Sequence, residues 1–248
     1  MLSVTDKLAV ITGGTRGIGL AIAEALLGMG GRVILNGRSE TRECAALVSK
    51  FGVDRVAIDL GDVSDPIFAA ALIERSFKRF GRLDILVHSA GGPVPGKITE
   101  ITAETWMAAF ALHVHPVFHL FKAAQPALSK EGGAVLLISS VAGLRGCPAS
   151  VAYQTVKGAL IPMARALAFD HAHEKIRVNV LAPGIIRTRF HAAMQETAQL
   201  HNIQNRIPLQ REGNVSDVAE AAVALITNEN ITGEVLTIDG GMSMRITG

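Results

Sequence analysis

Short apolar runs rich in valine and isoleucine alternate with longer segments of helical period along almost the whole chain. This alternation is typical of βαβ units, in which a helix connects two parallel strands. The apolar runs predict seven strands, at 8–12, 32–35, 55–60, 83–88, 134–139, 177–181 and 235–238. Segments of helical period predict helices at 19–29, 66–80, 103–128 and 153–172. The pattern therefore predicts one doubly wound α/β domain over residues 1–248, with a mostly parallel seven-stranded sheet and helices on both faces.

Two features modify this regular alternation. Pro116 and Pro126 fall inside the helix predicted at 103–128, where each removes a backbone donor, so we expect them to kink or end it. Residues 189–211 follow a Pro-Gly turn and are polar and only partly helical. Insertions of this kind often close over a binding site, so we interpret this segment as a substrate lid.

Composition and charge exclude several classes of protein. The 248 residues carry a formal net charge of +2 and contain no run of like charges, so we expect no nucleic-acid partner and no membrane-surface patch. No apolar run approaches the roughly 20 residues needed to span a bilayer. The two cysteines, Cys44 and Cys147, are too few for a disulfide framework, and we expect an intracellular, cytoplasmic protein.

A glycine-rich turn follows the first predicted strand. The sequence TGGTRGIG occupies 12–19 and runs directly into a predicted helix. Gly13, Gly17 and Gly19 would let the backbone turn tightly and approach a pyrophosphate at the helix N-terminus. A tight turn without a ligand would also use glycines, but the position between a strand and a helix favours a dinucleotide site.

The end of the second strand bears on which dinucleotide is bound. An acidic residue there would bind the ribose hydroxyl of NAD(H), whereas a basic residue would accept the 2′-phosphate of NADP(H). The sequence has Asn36 and Gly37 and then Arg38, and Arg16 in the glycine turn can join it. Because a guanidinium suits a phosphate, NADP(H) is preferred, with NAD(H) as the alternative if both arginines are merely solvated.

The single tyrosine of the chain, Tyr153, is followed four residues later by Lys157. Residues i and i+4 share one helix face, so the ammonium group is expected to lower the pKa of the phenol from about 10 and make it a usable proton donor or acceptor. Ser140, at the end of the fifth strand, can hydrogen-bond a carbonyl oxygen. Each feature alone fits a surface pair or a capping serine, but together, after a dinucleotide turn, they indicate a catalytic site.

These motifs resemble those of the classical short-chain dehydrogenase/reductase family, and the resemblance covers nearly the whole chain. The glycine turn is similar to the family's TGxxxGxG, the Tyr153–Lys157 pair to its YxxxK, and Ser140 to its catalytic serine. Further similar segments are the Pro183-Gly184 turn with Thr188, RVNVLAPG with Asn179, and the terminal TGEVLTIDGG. The resemblance implies a Rossmann-type domain that interconverts a carbonyl and an alcohol by hydride transfer.

The resemblance also implies residue roles. Tyr153 would be the general acid or base, Lys157 would lower its pKa and hold ribose hydroxyls, and Ser140 would orient the carbonyl. The implied cofactor-binding residues are Gly13, Thr15, Arg16, Gly17, Ile18, Gly19, Arg38, Asp59, Leu60, His88, Ala90, Gly91, Tyr153, Lys157, Pro183, Gly184, Ile186 and Thr188. For the adenine contact, Asp59 fits the strand register and is preferred, while Asp62 fits the spacing to the next helix.

The chain departs from the family pattern at two histidine positions. The family's NNAG after the fourth strand is here His88-Ser89-Ala90-Gly91. Seven residues after Trp106, the family typically has an asparagine that holds a water in the proton path from the lysine, and this chain has His113. Imidazole can donate and accept, so we assign His113 to the same proton path. His115 and His119 lack acidic or cysteine partners at ligand spacing, and we expect no metal.

The sequence thus predicts an NADP(H)-dependent oxidoreductase for a ketone or aldehyde, and the family resemblance makes 3-oxoacyl thioesters the first substrate to consider. The alternatives are an NAD-dependent alcohol dehydrogenase and a disabled NADP(H)-binding sensor or structural subunit. We expect a pocket at the carboxyl ends of the strands, walled by 92–94, by Leu144, Arg145 and Cys147, and by the lid. The resemblance also implies a homotetramer paired through the helices at 103–128 and 153–172.

Overall fold

A computed structural model describes residues 3–188 and 196–244. Its sheet contains β1 (Leu8–Thr12), β2 (Arg32–Gly37), β3 (Val56–Leu60), β4 (Ile85–His88), β5 (Gly133–Ile138), β6 (Ile176–Pro183) and β7 (Val235–Ile238). Its helices are α1 (Gly17–Gly28), α2 (Arg42–Phe51), α3 (Pro66–Phe80), α4 (Ala103–His113), α5 (His115–Leu128), α6 (Val151–Asp170), α7 (Glu196–His201) and α8 (Val215–Thr227). The predicted seven-stranded α/β fold is confirmed.

The seven strands pair in the order β3-β2-β1-β4-β5-β6-β7, and every pair is parallel. The connections change direction beside β1, which lies between β2 and β4. Ligands of open parallel sheets bind at the carboxyl ends of the strands next to such a reversal. The pairing of Thr12 with His88 brings the segments that follow β1 and β4 together at this point.

Helices cover both faces of the sheet, which explains why its central strands are apolar at nearly every position. On one face, Ile22 and Leu26 of α1 pack with Leu35 of β2 and with residues of α8. On the other face, helices α3, α5 and α6 pack against the alternate side chains of the same strands. All five residues of β1 are buried, as expected for a strand covered on both sides.

Local signals set several element boundaries. Helix α3 begins after Asp65, whose side chain accepts a hydrogen bond from the Ile67 N–H at 2.9 Å, and Pro66 takes the first position, where no donor is needed. It ends at Gly81, whose φ of 74° places it in the left-handed region.

Within the described residues, none of the helices has the length and apolarity required to cross a membrane.

The prediction of one helix over 103–128 is wrong. The structure has two helices, α4 and α5, separated at Val114. Pro116 causes the break because it has no N–H with which to continue the α4 ladder. Helices α2 and α8 were not predicted.

Candidate active site

The glycine turn between β1 and α1 is packed against the segment after β4. Gly13 has a φ of +63°, and a Cβ there would lie 2.8 Å from the backbone of Ser89 and Ala90. A Cβ at Gly19 would lie 2.5 Å from the Gly13 carbonyl oxygen. At the start of α1, no side chain caps the helix, and the first turn has no acidic residue. The turn therefore leaves backbone N–H groups facing a concave surface that suits an anion.

Basic and hydroxyl groups meet where β2 ends. The Arg16 guanidinium donates to the Ser39 hydroxyl at 2.9 Å, which holds it beside Arg38 on the same loop. Asn36 is buried, and its amide donates to the carbonyls of Asp59 and Gly61 at 3.0 and 3.3 Å. No carboxylate stands at positions 36–38, so the polar groups here are suited to an anionic ligand.

The two aspartates considered for the adenine contact have different surroundings. The Asp59 carboxylate forms a two-point ion pair with Arg75, at 2.8 and 3.0 Å. Asp62 accepts from the N–H and hydroxyl of Ser64, and these bonds, with the charge of Arg38, hold its pKa below the usual value. Since the Asp59 carboxylate is already paired, the geometry favours Asp62 over Asp59 as the candidate for the adenine contact.

The Pro-Gly turn after β6 lies opposite the glycine turn. A Cβ at Gly184 would lie 2.7 Å from the Asp239 side chain, so only glycine fits there. Ile186 pairs with Gly213 in an isolated parallel bridge, and the Thr188 hydroxyl donates to the Ile186 carbonyl at 3.4 Å. The methyl group of Thr188 lies 3.8 Å from the Cβ position of Gly17. Two of the predicted cofactor-binding loops therefore face each other.

Lys157 lies beneath this region, in the interior. It is only 5% exposed, and its ammonium group donates to the Ile138 carbonyl at 2.8 Å. Burial lowers the pKa of Lys157 to about 8. Its backbone is fixed as well, because the Ser139 hydroxyl donates to the Lys157 carbonyl at 2.7 Å. The ammonium nitrogen is 5.9 Å from the ring centroid of Tyr153, so the two residues share one face of α6 as predicted.

Tyr153 and Ser140 meet at the end of β5. Burial raises the pKa of Tyr153, and its hydrogen bond with the Ser140 hydroxyl opposes that rise. The expectation that Lys157 lowers this pKa is not met in the protein without ligands, because the ammonium group faces the ring and the Ile138 carbonyl. Ser140 also caps the short 3₁₀ turn that follows it, accepting from the Ala142 N–H at 3.2 Å. A neutral, protonated phenol is thus held beside a hydroxyl group.

His113 completes this cluster. Its side chain is fully buried, and its ring stands nearly perpendicular to that of Tyr153, with 5.9 Å between the centroids. Nε2 accepts from the Gly92 N–H at 3.4 Å, and Nδ1 has no hydrogen-bond partner. A Cβ at Gly91 would lie 3.0 Å from Nδ1 and 3.4 Å from the Lys157 ammonium nitrogen. His113 therefore faces the same small space as Lys157.

His88 lies behind His113, at the end of β4. It is 1% exposed, and its Nδ1 is 2.9 Å from the Thr12 hydroxyl, while Nε2 has no hydrogen-bond partner. Burial, and then the charge of Lys157, lowers the pKa of both His88 and His113 to about 3. Both rings are therefore neutral, and Lys157 is the cation of this cluster. Thr12 begins the glycine motif TGGTRGIG but was not among the predicted site residues.

The residues predicted to wall the pocket have different surroundings in the structure. Cys147 is half-buried and close enough to Tyr153 to influence its pKa. Arg145 does not stand free at the opening, since its Nε donates to the Ser243 carbonyl at 3.0 Å. Part of the predicted lid, residues 189–195, lies outside the described residues. In the described part, Gln199 of α7 donates to the buried carboxylate of Glu212 at 2.9 Å.

A cavity of about 390 Å³ opens at the opposite end of the sheet, near the amino ends of β1, β4 and β6. Lys7, Asp84 and Glu131 form ion pairs along its wall, and the buried guanidinium of Arg177 donates to carbonyls at the end of α8. These charged groups are already paired, and none of the predicted site residues lines the cavity. The candidate active site is at the carboxyl ends, where the glycine turn, Tyr153 and Lys157 converge.

Comparison with known proteins agrees with this geometry. The family model described as Enoyl-(Acyl carrier protein) reductase matches residues 13–243. The chain is 34% identical to the 3-oxoacyl-[acyl-carrier-protein] reductase FabG of Escherichia coli, over 98% of this chain and 100% of that protein. It is 34% identical to a tropinone reductase homolog of Datura stramonium, over 98% and 94% of the two chains.

A solved structure of a short-chain type dehydrogenase/reductase from Mycobacterium ulcerans is similar with a TM-score of 0.89. Its sequence is 30% identical, and the match covers 98% of this chain and 92% of that one. The chain belongs to the classical short-chain dehydrogenase/reductase family. It is an oxidoreductase of that family, and family membership implies a nicotinamide cofactor.

Proposed function

We propose that this protein uses NADPH to reduce a ketone or aldehyde to its alcohol, and that its substrates are 3-oxoacyl thioesters. The observation that carries the proposal is the hydrogen bond of Tyr153 with Ser140, together with the buried ammonium group of Lys157, 5.9 Å from the centroid of the Tyr153 ring. A proton donor, a carbonyl-orienting hydroxyl and a cation meet at the end of the sheet where the cofactor loops converge. This combination matches the needs of carbonyl reduction.

The residues present fit a nicotinamide dinucleotide. Gly13 and Gly91 leave space that a Cβ would fill, and the uncapped start of α1 offers N–H groups for a pyrophosphate. The facing loops of Gly17 and Thr188 would enclose the nicotinamide end. When bound, the reduced nicotinamide supplies the hydride that adds to the carbonyl carbon.

The reaction then needs one proton at the carbonyl oxygen. Tyr153 would donate it from its hydroxyl group, leaving the alcohol product and a phenolate. Ser140 would donate a hydrogen bond to the same oxygen and stabilise the charge that develops there. Lys157, by exchanging its bond with the Ile138 carbonyl for the ribose hydroxyls, would stabilise the phenolate and return a proton to it.

Burial favours the protonated form of Tyr153, which is the form that reduction requires. The alternative of an NAD-dependent alcohol dehydrogenase is tested by the parallel titrations with NADPH and NADH described below.

His113 would take the place of the asparagine found at this position in the family. Because Nε2 accepts from Gly92, the neutral ring carries its proton on Nδ1, the atom that faces Lys157. Nδ1 and the ammonium nitrogen both lie close to Gly91, at 3.0 and 3.4 Å from the position that a Cβ would take there, and a water molecule bound by both nitrogens would connect them. His113 would hold this water as a donor, and the water would carry protons to Lys157.

NADP(H) is preferred over NAD(H) because of the charges at the end of β2. Arg16, fixed by Ser39, and Arg38 would bind the 2′-phosphate, and Asp62 would bind the adenine. A site for NAD(H) would favour a carboxylate at positions 36–38, and the sequence has none there. The relative named as a 3-oxoacyl-[acyl-carrier-protein] reductase supports the thioester substrate.

We also propose a homotetramer that pairs through α4, α5 and α6. Met107 on α4 is 58% exposed and Phe118 on α5 is 57% exposed, which favours burial between subunits. Light scattering on the wild-type protein and on Phe118→Glu tests this. We expect a tetramer that the charge dissociates, and a monomeric wild type would contradict the proposal.

The test of function is a fluorescence titration with NADPH and, in parallel, with NADH. It is followed by NADPH oxidation against a panel of a 3-oxoacyl thioester, a small cyclic ketone, a keto-sugar and a quinone, with boiled protein as the blank. We expect tighter binding of NADPH and turnover of the thioester. Turnover of another carbonyl alone would overturn the substrate class, and binding with no turnover on any of them would favour the sensor alternative.

A further inference from the structure

The loop at 144–150 joins the two elements that carry the proposed catalytic residues. It follows the 3₁₀ turn that Ser140 caps, and it leads into the first turn of α6, where Tyr153 stands. Residues 144–146 and 148–149 are exposed, whereas Cys147 between them is half-buried. Cys147 is therefore turned inward while its neighbours in the loop face solvent.

The side-chain amide of Gln154 binds the backbone of Cys147 at two points. Oε1 accepts from the Cys147 N–H at 2.9 Å, and Nε2 donates to the Cys147 carbonyl oxygen. At neutral pH, glutamine is the side chain of this length that offers an acceptor and a donor side by side. Since Gln154 directly follows Tyr153, this pairing ties the middle of the loop to the helix turn that carries the phenol.

Ser150 adds to this pairing. Its hydroxyl donates to the Cys147 carbonyl at 3.0 Å, and Nε2 of Gln154 lies 3.2 Å from the same hydroxyl oxygen. Both backbone polar groups of Cys147 are thus satisfied by side chains, although the residue lies outside the helices and strands. Because a shielded backbone group without a partner is costly, these bonds stabilise the observed course of the loop.

The loop includes a backbone conformation that needs support. Ala149 has a φ of +46°, in the left-handed region, which costs free energy for any residue with a Cβ. Gly96, in the segment after β4, donates to the Ala149 carbonyl at 2.7 Å and accepts from the Val151 N–H at 3.3 Å. Ala149 is therefore held by this bridge on one side and by the pairing of Cys147 with Gln154 on the other. Loss of the Gln154 bonds would remove one of these two supports.

We propose that Gln154 is a positioning residue that holds the loop with Cys147 turned inward, as a fixed wall of the substrate pocket beside Tyr153. The proposal rests on the proposed function, in which this loop walls the pocket and a thioester is reduced. A wall that is already ordered spares an extended substrate the entropy cost of ordering the loop when it binds. Gln154 thus acts on the binding of extended substrates through the loop, and does not touch the reacting atoms.

The thiol of Cys147 reports on the loop without turnover. Cys44, the other cysteine of the chain, is fully buried and its thiol bonds the Thr41 carbonyl, so we expect Cys147 alone to react in the folded protein. The measurement is the rate of reaction with a chromogenic aromatic disulfide, and Cys147→Ser gives the background. Gln154→Leu nearly keeps the volume but removes both bonds, and we expect it to react about tenfold faster than the wild type.

A second variant and a matched control accompany this test. Gln154→Glu keeps the length and the acceptor but turns the donor into an oxygen that repels the Cys147 carbonyl, so it should react as fast as Gln154→Leu. It also covers a failure of Gln154→Leu to fold. Gln125→Leu makes the same change on α5, where the amide donates to the Glu174 carboxylate at the amino end of β6, and should react like the wild type. A wild-type rate in the folded Gln154 variants would overturn the proposal, whether or not the protein turns over a carbonyl.

Steady-state kinetics separate a positioned wall from a general loosening of the site. In Gln154→Leu, KM for a 3-oxoacyl thioester should rise about tenfold, while kcat and the NADPH Kd stay within about twofold. For a small cyclic ketone, which has no extended chain, KM should stay within about twofold. Equal losses for the two substrates would overturn the proposal. Absence of turnover in the wild type would instead contradict the proposed function, and the thiol rates would still decide whether Gln154 holds the loop.

Discussion

The rings of His113 and Tyr153 meet edge to face, at 88° and with 5.9 Å between their centroids. Lys157 places its ammonium nitrogen 5.9 Å from the same tyrosine ring. The ring of Tyr153 is thus packed by two neighbours, while its hydroxyl bonds Ser140. The ring atoms position Tyr153, and the hydroxyl group takes part in the chemistry. A mutation can therefore remove one role and keep the other.

The variant Tyr153→Phe keeps the ring and removes the proton donor. We expect the NADPH Kd and the unfolding temperature to change little, because the packing with His113 and Lys157 remains. Turnover should fall by about 10²- to 10⁴-fold, the usual contribution of a general acid. Stopped-flow oxidation of bound NADPH measures the loss. Retention of more than a tenth of the wild-type rate would show that the proton comes from elsewhere.

The variant Arg38→Asp should reverse the cofactor preference. It replaces a donor to the 2′-phosphate by a carboxylate suited to a ribose hydroxyl. We expect NADPH to lose about 10- to 100-fold in affinity, corresponding to about 1.5–3 kcal/mol for a charge-assisted hydrogen bond, and NADH to gain. Lys78→Asp makes the same change of charge on an exposed face of α3 and is the control. Equal losses for both variants would point to a general charge effect and remove Arg38 from the phosphate site.

The sequence was sufficient for the fold and for the relative placement of Tyr153 and Lys157. Period and spacing predicted the seven strands, and spacing alone placed Tyr153 and Lys157 on one face of α6. The sequence was insufficient where the choice between two candidate residues depends on which of them is already paired with another side chain. Asp59 fitted the strand register, but Arg75, sixteen positions later and one helix away, occupies its carboxylate.

The pKa of Tyr153 shows a second limit. A lysine four residues away indicates proximity but not which atoms face each other, and in the structure the ammonium group bonds the Ile138 carbonyl from β5. The degree of burial decides whether the pKa of Tyr153 is raised or lowered, and burial depends on the packing of the whole site.

The variant Lys157→Met should make the cofactor-free protein more stable at neutral pH. Burial lowers the pKa of Lys157 from 10.5 to about 8, so between these values the unfolded chain binds the proton that the folded protein releases. The free energy of unfolding of the wild type should therefore rise with pH from about 8 to 10.5. Below pH 8 the folded state carries the full cost of the buried charge. Removing it should stabilise the protein by about 1–3 kcal/mol at pH 7.

Urea unfolding of wild type and Lys157→Met at pH 7 and pH 10 measures this difference. We expect the free energies of unfolding of the two proteins to differ at pH 7 and to agree at pH 10. We also expect the variant to lose turnover. A lower stability of Lys157→Met at both values would mean that the bond to the Ile138 carbonyl outweighs the buried charge.

Acid should destabilise the protein because it protonates the two buried histidines near Lys157. His88 and His113 have pKa values lowered to about 3 in the folded protein, against 6.5 for an ordinary histidine. Between these values the unfolded chain binds more protons, so stability falls as the pH falls from about 6.5 to 3. Each histidine contributes a slope of about 1.4 kcal/mol per pH unit, or about 2 kcal/mol at pH 5.

The variant His113→Asn removes one of these two groups, and its unfolding free energy should fall less steeply with acid, by about 1.4 kcal/mol per unit between pH 6 and 4. His173→Asn removes an imidazole that is 76% exposed and should leave the slope as it is. Urea unfolding followed by circular dichroism at half-unit steps of pH gives both slopes. If His113→Asn and the wild type lose stability in parallel, the ring of His113 takes up a proton in the folded protein as readily as in the unfolded chain, and burial does not lower its pKa.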